Sequence, residues 1–575
     1  MESSFLELFK RNSDRGTSAR GRGRKFLVLI WCVFLARGVF YSTFLPIWEG
    51  YDEPIHFAFV QYLDTTHRLP LPTTPVSREI QSSLHLLPLP WTLRLHGYPK
   101  PIFTHDEFWE LDVQQRDHLE QEFRRIPKEW ASEPGTELIR NYEAQQPPLY
   151  YVLLAAPLQL TANLTLPSRI LVLRLLSVIV ASLLVPLGYL VSRKILGNEM
   201  SALGIVALAT VMPELMINIS RVANESLAIA LYTLLVYLTL KVVDSPEHFG
   251  YLPGVGVVLG FGLLTKAYFL TALPALFVIL VWCRWRWRSH WKRLILQSAL
   301  GIGTAVAIGG VWYWRAHRMM GSWSGLYSDA AIGGMSKWGL LRQVFHVNWI
   351  SALISVLLSH TWYGAWSFLR VSNIVYTVFG AVMLLAAAGL LRLSVKLWAS
   401  SSGEEESWGN YLRVLICFYG FFWLGLAYQT LTLFVSEGSL SFHRLVHVLP
   451  RRTGTDLGLL RSANHVSVFP ASRYSSWTNC SFCIARRVQC ALLTHPLLFR
   501  DHFTQHHLQR SVFSQYIELG PSGSNTAACA QRAVHYRPTF AHQQIADPNY
   551  RCIFDPVADL HCWNHVADGK QLEAS

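Results

Sequence analysis

The chain of 575 residues is 51% hydrophobic and 13% aromatic but only 15% charged, against about 25% charged positions in an ordinary soluble domain. That balance excludes a water-soluble globule, while a mean hydropathy of +0.25 requires sizeable polar segments between the apolar ones. The net charge of +13 does not point to nucleic acid, because the cations cluster just outside apolar runs, as they do in the cytoplasmic loops of membrane proteins.

In chain order, a basic stretch (1–25) with Arg11, Arg15, Arg20, Arg22 and Arg24 precedes the apolar run 26–48. The run is longer than the roughly 7–15 apolar residues of a signal peptide, and no small-residue cleavage site follows, so it is expected to be an uncleaved first span with its amino end inside. The polar stretch 49–146 then becomes a large extracytoplasmic loop. The apolar run 147–160 is too short to cross a hydrocarbon core of roughly 30 Å at 1.5 Å per residue and is expected in the interface. Further spans are expected at 169–191, 202–219, 227–243, 252–265, 269–283, 294–314, 371–391 and 411–435, about nine in all. Arg193 and Lys194, and the cluster Arg284, Arg286, Arg288, Lys292 and Arg293, mark cytoplasmic ends. This parity puts Asp52, Arg221, Asn224, Lys266 and a second outer segment, 322–370, on one extracytoplasmic side.

Chemistry concentrates at the exit of the first span, Trp48-Glu49-Gly50-Tyr51-Asp52-Glu53-Pro54-Ile55-His56-Phe57. Pro54 suits the first turn of a helix, which makes Asp52 a possible cap. Capping explains one acid, not two acids followed by a histidine on the same helical face. A carboxylate beside a second acid and a histidine can be tuned to take a proton from an attacking hydroxyl, so Asp52, Glu53 and His56 are the candidate catalytic group.

Several motifs then occur in the order found in GT-C glycosyltransferases. Asp52-Glu53-Pro54 with His56-Phe57 resembles the family's acid motif, and Gln146-Pro147-Pro148-Leu149-Tyr150-Tyr151 its interfacial helix. Arg174-Leu175-Leu176-Ser177, Asn224-Glu225-Ser226-Leu227 and Leu263-Leu264-Thr265-Lys266 resemble elements at its span ends. The chain is similar to the branch of protein O-mannosyltransferases and lipid A aminoarabinose transferases, and to bacterial multi-span proteins with an Asp-Glu-Pro-x-His-Phe signature. The resemblance implies an all-α, polytopic helical bundle with a large first extracytoplasmic loop, set in the cytoplasmic membrane. It implies transfer of a sugar from a polyprenyl-phosphate-linked donor to a lipid, glycan or protein acceptor. Asp52 would be the base, and Lys266, Arg221 and Arg174, with Arg37, the candidates for the donor phosphate. Gln146, Tyr150, Asn224 and Glu225 form a second tier. A divalent cation on Asp52, Glu53 and His56 is left open.

Each has a plainer reading. Arginines near span ends snorkel to headgroups, Asn224 and Glu225 can cap a helix, and Trp362, Tyr363, Trp366 and His360 suit a membrane belt as well as a sugar platform. Lys266, flanked by apolar segments, needs an anionic partner. A transporter would carry its charges at mid-membrane between repeated halves, and a non-catalytic envelope scaffold would use the acid pair only as a cap.

Beyond residue 436 the pattern changes. No spanning run follows, and eleven of the 22 histidines lie there. Cys480, Cys483, Cys490, His506 and His507 lack the second Cys-x-x-Cys pair of a standard zinc site, and no disulfide framework emerges from the nine cysteines. Residues 436–575 are expected to be an out-of-frame tail.

Overall fold

The computed structural model describes residues 18–49, 52–89, 103–130, 139–245, 248, 250–286, 291–359, 361, 372–399 and 405–437. His360, Trp362, Tyr363, Trp366, the cysteines and histidines of the tail and nearly all of segment 436–575 lie outside the described residues. The protein is an all-α polytopic membrane protein. Among the described residues seven helices are long and apolar enough to cross a membrane, or nine if each of two bent pairs is one span.

The first span is α1 (Ser18–Phe44). Val28 and Leu29 on it are about half exposed, as a lipid-facing helix requires. The following loop is a folded unit rather than a tether. It contains α2 (Glu53–Thr66), α3 (Arg78–Leu86), two paired two-residue strands, α4 (His105–Glu110), α5 (Val113–Arg124), a 3-10 turn at Tyr142–Gln145 and α6 (Leu149–Leu160). Helix starts are locally encoded: Ser77 caps α3, Asp112 caps α5, and Thr104 with Glu107 forms a capping box on α4. Its core joins Trp48, Ile55, Phe57, Phe59, Ile80, Leu84 and Tyr151 to Leu173 and Val222 of the bundle, and Tyr151 stacks on Phe59 with ring centroids 3.9 Å apart.

The bundle begins with α7 (Leu166–Ala181) and α8 (Leu184–Leu196), which together make one apolar run of 31 residues. The expected span 202–219 is two helices, α9 (Glu199–Val211) and α10 (Pro213–Ile219), meeting at 66°. Pro213 removes a backbone donor at that break. The Thr210 carbonyl there accepts from Arg37 of α1 instead, which gives Arg37 a partner within the bundle.

Next come α11 (Glu225–Asp244), α12 (Tyr251–Leu263), a 3-10 turn at Ala267–Thr271, α13 (Ala272–Arg286) and α14 (Trp291–Met320). The 13 residues of α12 rise about 20 Å, short of a hydrocarbon core of about 30 Å, so the span expected at 252–265 is a short apolar helix. It is held by close approach to α14. Gly256 lies against the backbone of Gly301, and Gly260 against Ala305 and Ile308, where side chains would hold the helices apart.

The expected second outer segment, 322–370, includes α15 (Tyr327–Ile332), α16 (Lys337–His346) and α17 (Trp349–Ser359). The last two are apolar and bent by 68°, the geometry of a broken span or a re-entrant loop. Trp338, Phe345 and Ile350 on these two helices are exposed. Two long helices follow, α18 (Asn373–Ala399) and α19 (Glu405–Glu437). Asp329 accepts from Ser322, Ser324 and Tyr428, and so ties this segment to α19.

Candidate functional site

Asp52 sits at the start of α2 with φ 58°, in the left-handed region, and its side chain makes no capping bond. A non-glycine residue there costs about 1–3 kcal/mol and is kept only where its surroundings impose it. The backbone carbonyl takes the N–H groups of Ile55 and His56. The carboxylate turns away from the helix, and Oδ1 accepts from the Tyr142 hydroxyl at 2.5 Å. Simple capping therefore does not account for Asp52.

The adjacent acid points elsewhere. Glu53 is fully buried; Oε1 accepts from Arg174 Nε at 2.7 Å and from the Val222 amide at 3.0 Å, and Oε2 accepts from Arg174 Nη2 at 2.5 Å. Arg174 also donates to the carbonyls of Ser42, Leu45 and Pro46, the unpaired end of α1. Its five N–H donors are thus all engaged by protein groups. Three residues on, Ser177 bonds the Tyr150 hydroxyl at 2.7 Å, so one turn of α7 anchors both α2 and α6. A second buried pair, Arg169 with Glu79, repeats the device for α3.

His56 is buried, with Nδ1 2.7 Å from the Tyr151 hydroxyl. Burial drives its basicity down to about 3; Glu225 opposes this, and Arg221 and Lys266 add to it. The imidazole is neutral at physiological pH.

A polar cluster gathers where α6, α11 and the end of α12 meet. The Leu149 amide donates to the Leu264 carbonyl at 2.9 Å. Asn224 Nδ2 reaches Gln146 Oε1 at 3.2 Å and the Thr265 carbonyl at 3.0 Å, while its Oδ1 accepts from Lys266 Nζ at 3.1 Å. Lys266 also pairs with Glu225, the anionic partner that its apolar flanks demand. Neither Asn224 nor Glu225 acts as a side-chain cap at this helix start. Arg221 is 5% exposed and donates to Asn218 Oδ1 at 2.9 Å.

Glu143, which the motifs did not single out, completes the cluster. It is buried in the 3-10 turn beside Tyr142. Burial pushes its carboxyl up to about 8, with Asp52 and Glu225 adding and Lys266 and Gln146 opposing. Those influences place Asp52, Glu143, Glu225 and Lys266 in one electrostatic neighbourhood. The available signal was its position three residues ahead of Gln146. A further buried contact, His105 Nε2 to Glu49 Oε2 at 2.7 Å, lies close by in sequence to Asp52. It was equally hidden, because its partners are 56 residues apart.

No group of three or more His, Cys, Asp or Glu side chains among the described residues is spaced to hold a metal ion. Asp52, Glu53 and His56 do not fit one together, since both Glu53 oxygens already accept from Arg174.

Residues 145–314 match the family described as dolichyl-phosphate-mannose-protein mannosyltransferase. The match is consistent with a membrane glycosyltransferase of the GT-C type. The matched stretch includes Gln146, Tyr150, Arg174, Arg221, Asn224, Glu225 and Lys266, whereas Asp52, Glu53, His56 and Glu143 precede it. No curated protein and no solved structure matches the chain. The roles of the acids therefore rest on geometry.

Proposed function

We propose that this glycosyltransferase moves a sugar from a polyprenyl-phosphate-linked donor to a hydroxyl of a lipid, glycan or protein, on the extracytoplasmic side of the cytoplasmic membrane. The carrying observation is the Asp52 carboxylate, held in a strained backbone by no capping role and directed toward Tyr142 beside a cluster containing Lys266. Asp52 takes the proton of the acceptor hydroxyl as the acceptor oxygen bonds to the anomeric carbon. The bond from that carbon to the phosphate oxygen breaks, and its electron pair leaves with the polyprenyl phosphate. Lys266 and Arg221 meet the developing phosphate charge, and His56, neutral, orders the wall through Tyr151. We assign Glu53 and Arg174 to holding α2 against α1 and α7, because their polar groups already bond each other and the backbone.

The sidedness is supported by charge. The basic ends of α1, α8 and α13, with Arg22, Arg193 and Arg284, are the ends away from Asp52 and Lys266 in chain order. Full-length protein in lipid vesicles, given polyprenyl phosphates bearing labelled sugars, should release bare carrier and label an acceptor. Absence of transfer with every donor and acceptor class would defeat the proposal.

A further inference from the structure

Asp52 does not carry its strain alone. Among the described residues three besides glycine have positive φ, and two of them, Trp48 at 65° and Asp52 at 58°, stand four positions apart at the exit of α1. Such conformations persist only where the surroundings over-determine them. On the α2 side, the Asp52 carbonyl takes two helix amides and Glu53 is gripped by Arg174.

On the α1 side the grip comes from the first loop. The Trp48 indole is fully buried, and its N–H donates to Ser83 Oγ of α3 at 2.8 Å. That hydroxyl donates in turn to the Ile80 carbonyl at 2.6 Å. Glu49, 1% exposed, meets His105 Nε2 at 2.7 Å. His105 is buried at the start of α4, directly after the Thr104 of its capping box, and Thr104 pairs with Leu89 just beyond α3. The short strands therefore tie α3 to α4, and each helix engages a side chain immediately before Asp52. Arg174 fixes the same segment from the bundle through the carbonyls of Leu45 and Pro46.

A loop that needed only stability would be served as well by an apolar pair at 49 and 105, since burying a carboxylate is costly. A 2.7 Å bond adds direction: it sets where Glu49 lies, three residues before the reacting group. Reacting groups need such placement to within about 0.5 Å.

We propose that Glu49 and His105, with Trp48 and Ser83, are positioning residues that hold Asp52 in the left-handed conformation from which its carboxylate meets Tyr142. This rests on the reading of Asp52 as the base, given above.

The test supplies full-length protein in lipid vesicles with polyprenyl phosphates bearing labelled sugars, and records kcat, KM for the carrier and apparent melting temperature. His105→Leu should lower kcat roughly ten- to a hundredfold with KM nearly unchanged. His105→Gln, whose amide N–H can still reach Glu49, should keep most of the turnover. A double-mutant cycle with Asp52→Asn separates positioning from bracing. In that background His105→Leu should remove no further transfer, while lowering the melting temperature as much as before. A merely structural pair would cost the same factor in both backgrounds. The proposal is overturned if folded His105→Leu keeps the wild-type kcat, if glutamine does no better than leucine, or if the loss is as large without the Asp52 carboxylate. Should His105→Leu fail to fold, Ser83→Ala, which releases the Trp48 indole, takes its place in the cycle, and an unchanged kcat or an equal loss in both backgrounds overturns the proposal. Full transfer by Asp52→Asn alone, or none by wild type from any donor, would show instead that the reading of Asp52 has failed, and the proposal falls with it.

Discussion

Tyr142 donates its phenol to Asp52 at 2.5 Å across 90 positions of chain, and this bond joins the 3-10 turn of the first loop to the start of α2. A bond to a charged group is worth about 1.5–3 kcal/mol, so Tyr142→Phe should lower turnover roughly tenfold. The carrier's affinity should change little. If the variant instead melts earlier and turns over normally, the phenol is only a brace.

Arg174 has a different duty. Breaking a buried ion pair costs about 3–5 kcal/mol, and Arg174→Met also strands three carbonyls at the end of α1. The variant should show a clear fall in apparent melting temperature. Arg174→Lys should rescue it poorly, because an ammonium lacks the planar fork that reaches both Glu53 oxygens. A folded Arg174→Met protein with normal melting but no affinity for polyprenyl phosphate would assign the guanidinium to the donor instead.

Lys266 and Glu225 can be separated by a double-mutant cycle. Lys266→Met should reduce kcat/KM by about a hundredfold or more, in the range of a lost oxyanion donor. If Lys266 meets the phosphate, adding Glu225→Gln will not restore activity. Recovery in the double variant would show that the lysine serves only to neutralise Glu225.

The pH dependence of stability follows from Glu143 and His56. Glu143 is raised from 4.5 to about 8, so between those values the unfolded chain has released a proton that the native state keeps, and stability falls as pH rises. His56 is lowered from 6.5 to about 3, so between those values the unfolded chain binds a proton that the native state refuses, and stability falls as pH drops. The two slopes oppose each other between 4.5 and 6.5. For these two groups alone, the expected profile is a plateau there, with losses from 6.5 toward 8 and from 4.5 toward 3. Apparent melting temperatures should show Glu143→Gln removing the alkaline loss and His56→Asn the acid one. Unchanged profiles in both variants would contradict these assignments.

Most of the spans, and the need of Lys266 for an anionic partner, were legible in the sequence because both follow from local cost. Apolar length reports a crossing, and a lone lysine between apolar runs announces that an anion must be near. What stayed hidden was which partner each charge would choose. Glu53 and Arg174 are 121 positions apart and Glu79 and Arg169 are 90 apart, so their pairing is set by how the loop packs on α7. The adjacency of Asp52 and Glu53 suggested a shared task; a left-handed residue at Asp52 sends the two side chains different ways. Glu143 carried no local sign of burial, and Pro213 alone did not reveal the size of the bend it makes.

The central claim is that the Asp52 carboxylate accepts the acceptor's proton. The direct measurement compares wild type with Asp52→Asn in vesicles, recording sugar transfer, affinity for polyprenyl phosphate and apparent melting temperature together. Asparagine tolerates the left-handed backbone, and the side chain caps nothing, so melting and affinity should be retained while transfer falls by at least about a hundredfold. Transfer within a fewfold of wild type would contradict the account.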